Sequence, residues 1–322
     1  MSVRVGIIGP GGIAERHAAA LTGAGATLAA VAGPDLAQAT AFAAAHPTQG
    51  YGRATVHRTA DDLCAQPGLD AVIIAAPHAV HAEQAIAALE AGLHVLCEIP
   101  AGLSLAEARA VADAAERAGR HAAVAHTLRF CSPYLAAKEL IEAGESRVRH
   151  VVARTLMLRQ RDTGLDGRPR DWSDDVLWHH GAHTVDAALW LLGAASAEVS
   201  GGLGPPWKAG GRAMDVGAVL RVPDGGLATI ALSYHSRLAA RDLTIIAEDR
   251  TLHLSGGRLL DGDRLIADCG DADRMEREGL ARQDRDFLAA VTEGRPPACT
   301  VADVLPAMRV LDHLHRLNEG NL

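Results

Sequence analysis

Three histidines, His179, His180 and His183, fall within five residues on a stretch whose apolar spacing predicts a helix over Trp178–Leu192. Residues four apart share a helix face, so His179 and His183 lie one above the other, with His180 about a quarter-turn aside. Imidazole, with an unperturbed pKa of about 6.5, suits proton transfer near neutral pH. His183 is the first candidate for the base that takes a hydroxyl proton while a hydride leaves the adjoining carbon, and His179 is its orienting or relay partner. The same histidines could be hydrogen-bonded packing at a helix start, or half of a zinc site. No helix glutamate or nearby cysteine completes a metal ligand set, so no metal is expected. A second constellation is cationic: Arg129, Arg159, Arg161, Arg168 and Arg170. The planar guanidinium fork matches a carboxylate bidentately, and two or three forks would suit a dicarboxylate. Any single one of them could equally be solvated loop. Trp172 and Trp178 either wall a pocket or belong to the core, and Asp186 either orients a histidine or forms a structural ion pair.

A different chemistry begins at Gly9-Pro10-Gly11-Gly12-Ile13-Ala14, which separates a strand at Val3–Ile8 from a helix at Gly12–Leu21. The spacing G-x-G-x-x-A lets the backbone turn tightly and approach a pyrophosphate. The amides of Gly12, Ile13 and Ala14 at the helix start then face its charge. The end of the second strand reads the adenosine ribose, and it runs Val31-Ala32-Gly33-Pro34-Asp35. Gly33 fills the place where an acidic residue grips the 2′-hydroxyl of NAD, which leans the expectation to NADP. No arginine follows, and Asp35 keeps NAD open as the alternative. Glu98 follows the C-terminal end of a strand at Leu93–Cys97, where open α/β sheets bind their ligands. His81, one turn into a helix after the Ala76-Pro77 loop, either lies under the nicotinamide or is packed.

The elements that position these residues alternate strand and helix up to His121–Ala125, as in a doubly wound parallel sheet. Ser104 and Glu107 have capping-box spacing at one helix start. After His126 the pattern changes. A helix near Pro133–Ala143 leads to a strand at Val148–Leu158, then the histidine helix. Strand-like runs follow at Ala197–Gly201, Met214–Val222, Leu227–Ser233, Asp242–Ala247 and Thr251–Leu254. Helices near Ala281–Thr292 and Val301–Leu317 close the chain, with Pro306 expected to kink or restart the last. The predicted fold class is α/β: a Rossmann domain over 1–125 and, over 126–322, an α+β domain with a largely antiparallel open sheet.

Composition excludes much else. The 322 residues are 48% apolar and 22% charged, enough for two globular domains. A net charge of −8 provides no global positive field for nucleic acid or anionic lipid, and four Trp, three Tyr and three Phe leave few platforms for stacking bases. Five widely spaced cysteines outside any C-x-x-C pair fit a reduced, cytoplasmic chain. No apolar run approaches the roughly 18 residues of a membrane span, and no leader precedes the first strand. The expected partner is a small molecule, with neither nucleic acid nor membrane.

Cys97-Glu98-Ile99-Pro100, Ala75–His81, Arg129-Phe130, Trp178–Gly193 and Asp286-Phe287 through Glu293–Pro297, together with the glycine loop, resemble the glucose–fructose oxidoreductase/inositol dehydrogenase/MocA family along essentially the whole chain. The resemblance implies an N-terminal Rossmann domain, and a C-terminal domain whose open sheet commonly forms a dimer interface, with the active site between them. It implies a homodimer or homotetramer. It places Ala76, Pro77, His81, Glu98, Ile99 and Pro100 at the cofactor, and Arg129, Arg159, Trp172, His180 and His183 at the substrate. Most members carry Glu-Lys-Pro where this chain has Glu98-Ile99-Pro100, and many have aspartate where it has His179. Both changes point away from sugar or inositol chemistry. One branch shares Glu-Ile-Pro, His126–Phe130, Arg168–Trp172 and Leu177–Asp186, and it oxidises a carboxylated cyclic hemiacetal with NADP. The expected function is therefore NAD(P)-dependent oxidation of a small carboxylated hemiacetal or hydroxy compound. The alternatives are reduction of an imine, enone or keto acid, and a non-catalytic dinucleotide-binding regulator.

Overall fold

The computed structural model describes residues 2–47, 53–144, 147–161, 175–208, 211–223 and 225–319. The chain divides into two units. One comprises Met1–Ala125 and Leu280–Leu305; the other comprises His126–Asp162, Pro169–Gly279 and Pro306–Leu322, so far as these are described.

In the first unit six short apolar runs pair in parallel: β1 (Arg4–Ile8), β2 (Thr27–Ala32), β3 (Thr55–His57), β4 (Ala71–Ile74), β5 (His94–Cys97) and β6 (Ala122–Val124). Their order is β3-β2-β1-β4-β5-β6, so the winding reverses between β1 and β4. That reversal is where doubly wound sheets open a crevice for ligands. Helices α1 (Gly12–Gly23), α2 (Leu36–Ala45), α3 (Ala60–Cys64), α4 (His81–Glu90) and α5 (Leu105–Ala118) connect the strands. Local chemistry sets their ends. Asp35 and Thr59 accept amide hydrogens at the starts of α2 and α3. Ser104 accepts from the Glu107 amide at 3.1 Å, while the Glu107 carboxylate reaches back to the amide of Leu103 at 2.6 Å. Gly119 ends α5 in the left-handed conformation.

The second unit is built on eight strands: β7 (Val148–Leu158), β8 (Glu198–Leu203), β9 (Asp215–Arg221), β10 (Leu227–Ser233), β11 (His235–Ala247), β12 (Thr251–Ser255), β13 (Arg258–Asp261) and β14 (Arg264–Asp268). Their order is β14-β13-β12-β11-β7-β10-β9-β8, antiparallel except for the parallel pair β7–β10. Inward residues alternate along the ladder, as with Val151, Ala153 and Thr155 of β7 and Ala228, Ile230 and Leu232 of β10. Helix α7 (Ala182–Leu192) packs across β7 and β10, and α6 (Ser132–Glu142) packs against β12–β14. Two long helices, α8 (Ala272–Glu293) and α9 (Val301–Glu319), close the chain, and α9 runs on through Pro306.

A contiguous 126–322 domain does not describe this packing. Leu280–Leu305 belongs with the first unit because Phe287 and Leu288 join its apolar core and Asp284 joins a buried ion cluster there. On α1 the buried stripe Ala14, His17, Ala18, Leu21 contains one polar member. His17 Nδ1 lies 2.7 Å from Asp284 Oδ2 and its Nε2 lies 3.0 Å from Glu98 Oε1. His17 and Asp284 are fully buried, and Glu98 is 15% exposed. Burial pulls the imidazole pKa down, but the charges and hydrogen bonds of Asp284 and Glu98 together outweigh it and push it up to about 10. His17 is therefore an imidazolium between two carboxylates. Its folded pKa lies above the ordinary 6.5, so its stabilisation is complete below pH 6.5 and is lost as pH rises through about 10. Urea unfolding at pH 6, 8 and 10 should show this loss in the wild-type chain. His17→Ala leaves buried carboxylates without their cation, costs about 3–5 kcal/mol at pH 6, and flattens the pH dependence. A wild-type midpoint that stays level or rises across that window contradicts the assignment.

Candidate active site

The glycine loop of the first unit is shaped by close approach. Gly9 has φ +90°, and a Cβ there would lie 2.7 Å from backbone atoms of Ala75 and Ala76, so no other residue fits. Gly9 N–H donates to the Ala32 carbonyl at 2.9 Å, and Gly11 N–H donates to the Gly9 carbonyl at 2.8 Å. A Cβ on Gly11 would meet nothing within 4 Å, so the protein itself does not need glycine there. What the small residue leaves is open space before the start of α1, where no side chain caps the helix amides. A cradle with room at Gly11 and helix amides that no side chain caps fits a pyrophosphate.

The loops after β4 and β5 are tied to each other. His81 is buried, with Nδ1 2.8 Å from the Pro100 carbonyl and Nε2 2.8 Å from that of Ala76. It is a packed residue that holds the Ala76-Pro77 and Ile99-Pro100 loops in register. Glu98 extends from β5 with its amide on the Ile74 carbonyl at 2.9 Å, and its Oε2 accepts from the Ile99 amide at 3.2 Å. Its other oxygen is held by His17, and Ile99 is buried.

In the second unit the chain enters α7 through one π turn, Leu177–Gly181, closed by the Gly181 amide on the Val176 carbonyl at 2.9 Å. Asp175 accepts from the amides of Leu177 and Trp178 at its start. The wider turn brings the rings of His179 and His180 into a stack, with centroids 4.3 Å apart and planes at 23°. His180 is buried and its Nδ1 lies 2.7 Å from the Tyr234 hydroxyl. Burial, then the positive charges of His179, Arg241, His183 and Arg159, hold its pKa well below the ordinary value. His179 and His183 are half-buried. The His183 ring meets His126 edge-on at 5.7 Å, and buried His126 has Nδ1 3.3 Å from Asp186.

Arg129 gives its Nε and Nη2 to the two oxygens of Asp186, at 2.8 and 2.6 Å. Both side chains are largely buried, at 11% and 3% exposure. That edge of the fork is committed to the helix, so Arg129 braces Asp186 and, through it, His126, rather than presenting that edge to a ligand. Arg159 lies over the Tyr234 ring at 5.6 Å, beside His180. Trp178 is core, edge-on to His315, and Arg161 is exposed. Trp172, Arg168 and Arg170 lie outside the described residues. Two members of the cluster escape a reading of sequence alone, Tyr234 and Arg241 (paired with Glu276), and His126 stands in a segment that carries the resemblance without a role assigned to it. Tyr234 is fully buried and must satisfy its hydroxyl, but that burial is visible only in the fold. Nothing local marks Arg241.

Comparison with known proteins accounts for both units. Residues 3–126 match the Gfo/Idh/MocA family model described as an oxidoreductase family with an NAD-binding Rossmann fold, and residues 133–255 match that of the bacterial oxidoreductase C-terminal domain. A 4-carboxy-2-hydroxymuconate-6-semialdehyde dehydrogenase from a Sphingobium species is 32% identical over 97% of this chain and 98% of its own. An inositol 2-dehydrogenase from Streptomyces avermitilis is 32% identical over 59% of this chain and 53% of its own. An oxidoreductase from Agrobacterium radiobacter, solved with NAD+, L-tartaric acid and magnesium, shares the fold at a TM-score of 0.86, 17% identical, covering 100% of this chain and 98% of that one. A cradle made for a dinucleotide, a cluster of imidazoles able to move a proton and this likeness from end to end give one result: the chain belongs to the Gfo/Idh/MocA family of NAD(P)-dependent dehydrogenases.

Proposed function

We propose that this dehydrogenase oxidises a small carboxylated hemiacetal or hydroxy compound, with NADP as acceptor and NAD as the alternative. The observation that carries the reading is the company His183 keeps. It is half-buried, braced edge-on by His126, which is tied to Asp186 and Arg129, and it adjoins the His179–His180 stack beside Arg159. Bound nicotinamide supplies the acceptor for the hydride. His183 takes the hydroxyl proton as the carbon–hydrogen bond breaks, a hemiacetal carbon becoming a lactone carbonyl, and His179 passes that proton towards solvent. His180 stays neutral and holds the Tyr234 hydroxyl, so it does not share the arriving charge.

The substrate class follows from charge. Imidazole at 179 and isoleucine at 99 leave neither the carboxylate nor the ammonium of the usual family pair, so proton handling falls to the histidines. Removing a carboxylate from the site also removes repulsion towards an anionic substrate, and Arg159 supplies the guanidinium that would grip it. The relative named for a carboxylated semialdehyde supports the same class.

Supplying a carboxylated cyclic hemiacetal with NADP+ should raise the near-ultraviolet absorbance of the reduced cofactor. His183→Ala should lower kcat/KM by about 10²–10⁴-fold while cofactor affinity is unchanged; full activity in that variant removes the base. Arg159→Ala should raise KM for the carboxylated substrate by about 10- to 100-fold and leave an uncharged analogue unaffected. Equal effects on both would show that Arg159 does not read the carboxylate.

A further inference from the structure

The turn after β2 would contact the adenosine ribose of a dinucleotide seated on the glycine cradle, and three features bear on which dinucleotide it takes. The first is Gly33. A Cβ at this position would lie 2.8 Å from Cδ of Pro10, so a carboxylate side chain could not stand here without displacing the cradle. Gln38 Nε2 holds that same Pro10 through its carbonyl at 3.0 Å. The second is Asp35, the nearest acid along the chain. Its Oδ1 accepts from the amides of Ala37 and Gln38 at 2.9 and 3.1 Å, which commits that oxygen to capping α2. The third is Arg58. Parallel pairing of β2 with β3 sets Ala32 beside His57, and the Gly33 amide donates to the His57 carbonyl at 3.1 Å. Arg58, the next residue, is exposed and its Nη1 donates to the Pro34 carbonyl at 3.2 Å. A guanidinium thus arrives at the Gly33-Pro34 turn from a residue 24 positions beyond Pro34.

We propose that Arg58 selects the phosphorylated dinucleotide, its guanidinium holding the 2′-phosphate of NADP at a turn from which the usual carboxylate is sterically excluded. An arginine fork pairs with a phosphate by charge-assisted hydrogen bonds, whereas the 2′-hydroxyl of NAD asks for an acceptor that Gly33 cannot supply. The proposal deepens the NADP reading above and rests on the dinucleotide cradle. It does not depend on which substrate is oxidised, so the two fail separately.

Direct binding tests it without turnover. NADPH and NADH are titrated against the full chain by cofactor fluorescence, and 2′,5′-ADP and 5′-AMP are used as competitors. The wild-type chain should bind NADPH at least about tenfold tighter than NADH, and 2′,5′-ADP should displace it better than 5′-AMP. Arg58→Ala should weaken NADPH by about 10- to 100-fold and leave NADH within about threefold. Arg58→Lys should recover part of the loss, since it keeps the charge without the fork. Arg58 is exposed, so unchanged thermal unfolding is expected in both variants. Wild-type preference for NADH, or an Arg58→Ala variant that loses both cofactors equally or neither, overturns the assignment.

Discussion

A single imidazolium holds the first unit's working parts together. His17 sits on the helix that opens with the glycine cradle, touches the glutamate that leads into Ile99-Pro100, and reaches an aspartate 267 residues further along the chain. Taking one cation and two carboxylates out of water costs several kcal/mol per ion, and only short bonds on both ring nitrogens offset it. The cluster carries one negative charge beyond neutral balance, and the partial exposure of Glu98 lets solvent carry the excess. Because His17 is nearly unable to lose its proton at neutral pH, its geometry does not drift with ordinary changes in pH. The position of α1 relative to the end of β5 is consequently set by electrostatics as well as by the apolar packing of Ala14, Ala18 and Leu21.

The second unit uses the inverse arrangement. There one buried carboxylate, Asp186, serves two nitrogen bases: bidentate Arg129 and, more distantly, His126. The bidentate fork fixes the carboxylate plane, so what remains for His126 is a single defined direction of approach. His126 then meets His183 through ring contact. Orientation passes along this chain by the bidentate Arg129–Asp186 pair, the approach of His126 to Asp186 and the edge-on packing of the two rings.

What could be read without coordinates was what lies close in sequence. The cradle from Gly9 to Ala14 is contiguous, and β7 starts and ends at the predicted residues because it alternates cleanly between faces. β11 is longer than its predicted Asp242–Ala247 core because His235–Arg241 is polar and pairs irregularly with β7. β13 and β14 are only four and five residues long, too short to show a period of their own, although Gly256 and Gly257, both at positive φ between Ser255 and Arg258, are the signature of a two-residue hairpin. The polar partnerships were the least accessible. Arg58 reaches Pro34 only because β2 and β3 pair, and Asp284 reaches His17 only because α8 returns to the first unit. No periodicity within one segment encodes a meeting between two.

The π turn explains why adjacent histidines differ. In a straight α-helix successive side chains point about 100° apart, which would keep the rings of residues 179 and 180 separate. Closing the turn over five residues, Gly181 to Val176, stacks them and still leaves one ring half-exposed and the other buried on Tyr234. The Thr184 hydroxyl, bonded to the His180 carbonyl at 2.7 Å and to Thr155 at 3.1 Å, anchors the widened turn to β7. Burial, then the positive charge that neighbouring imidazole and guanidinium groups can carry, makes charging His180 costly. A wider turn of backbone thus separates groups of identical chemistry into one buried ring and two half-exposed ones, a division that the spacing of the three histidines alone does not contain.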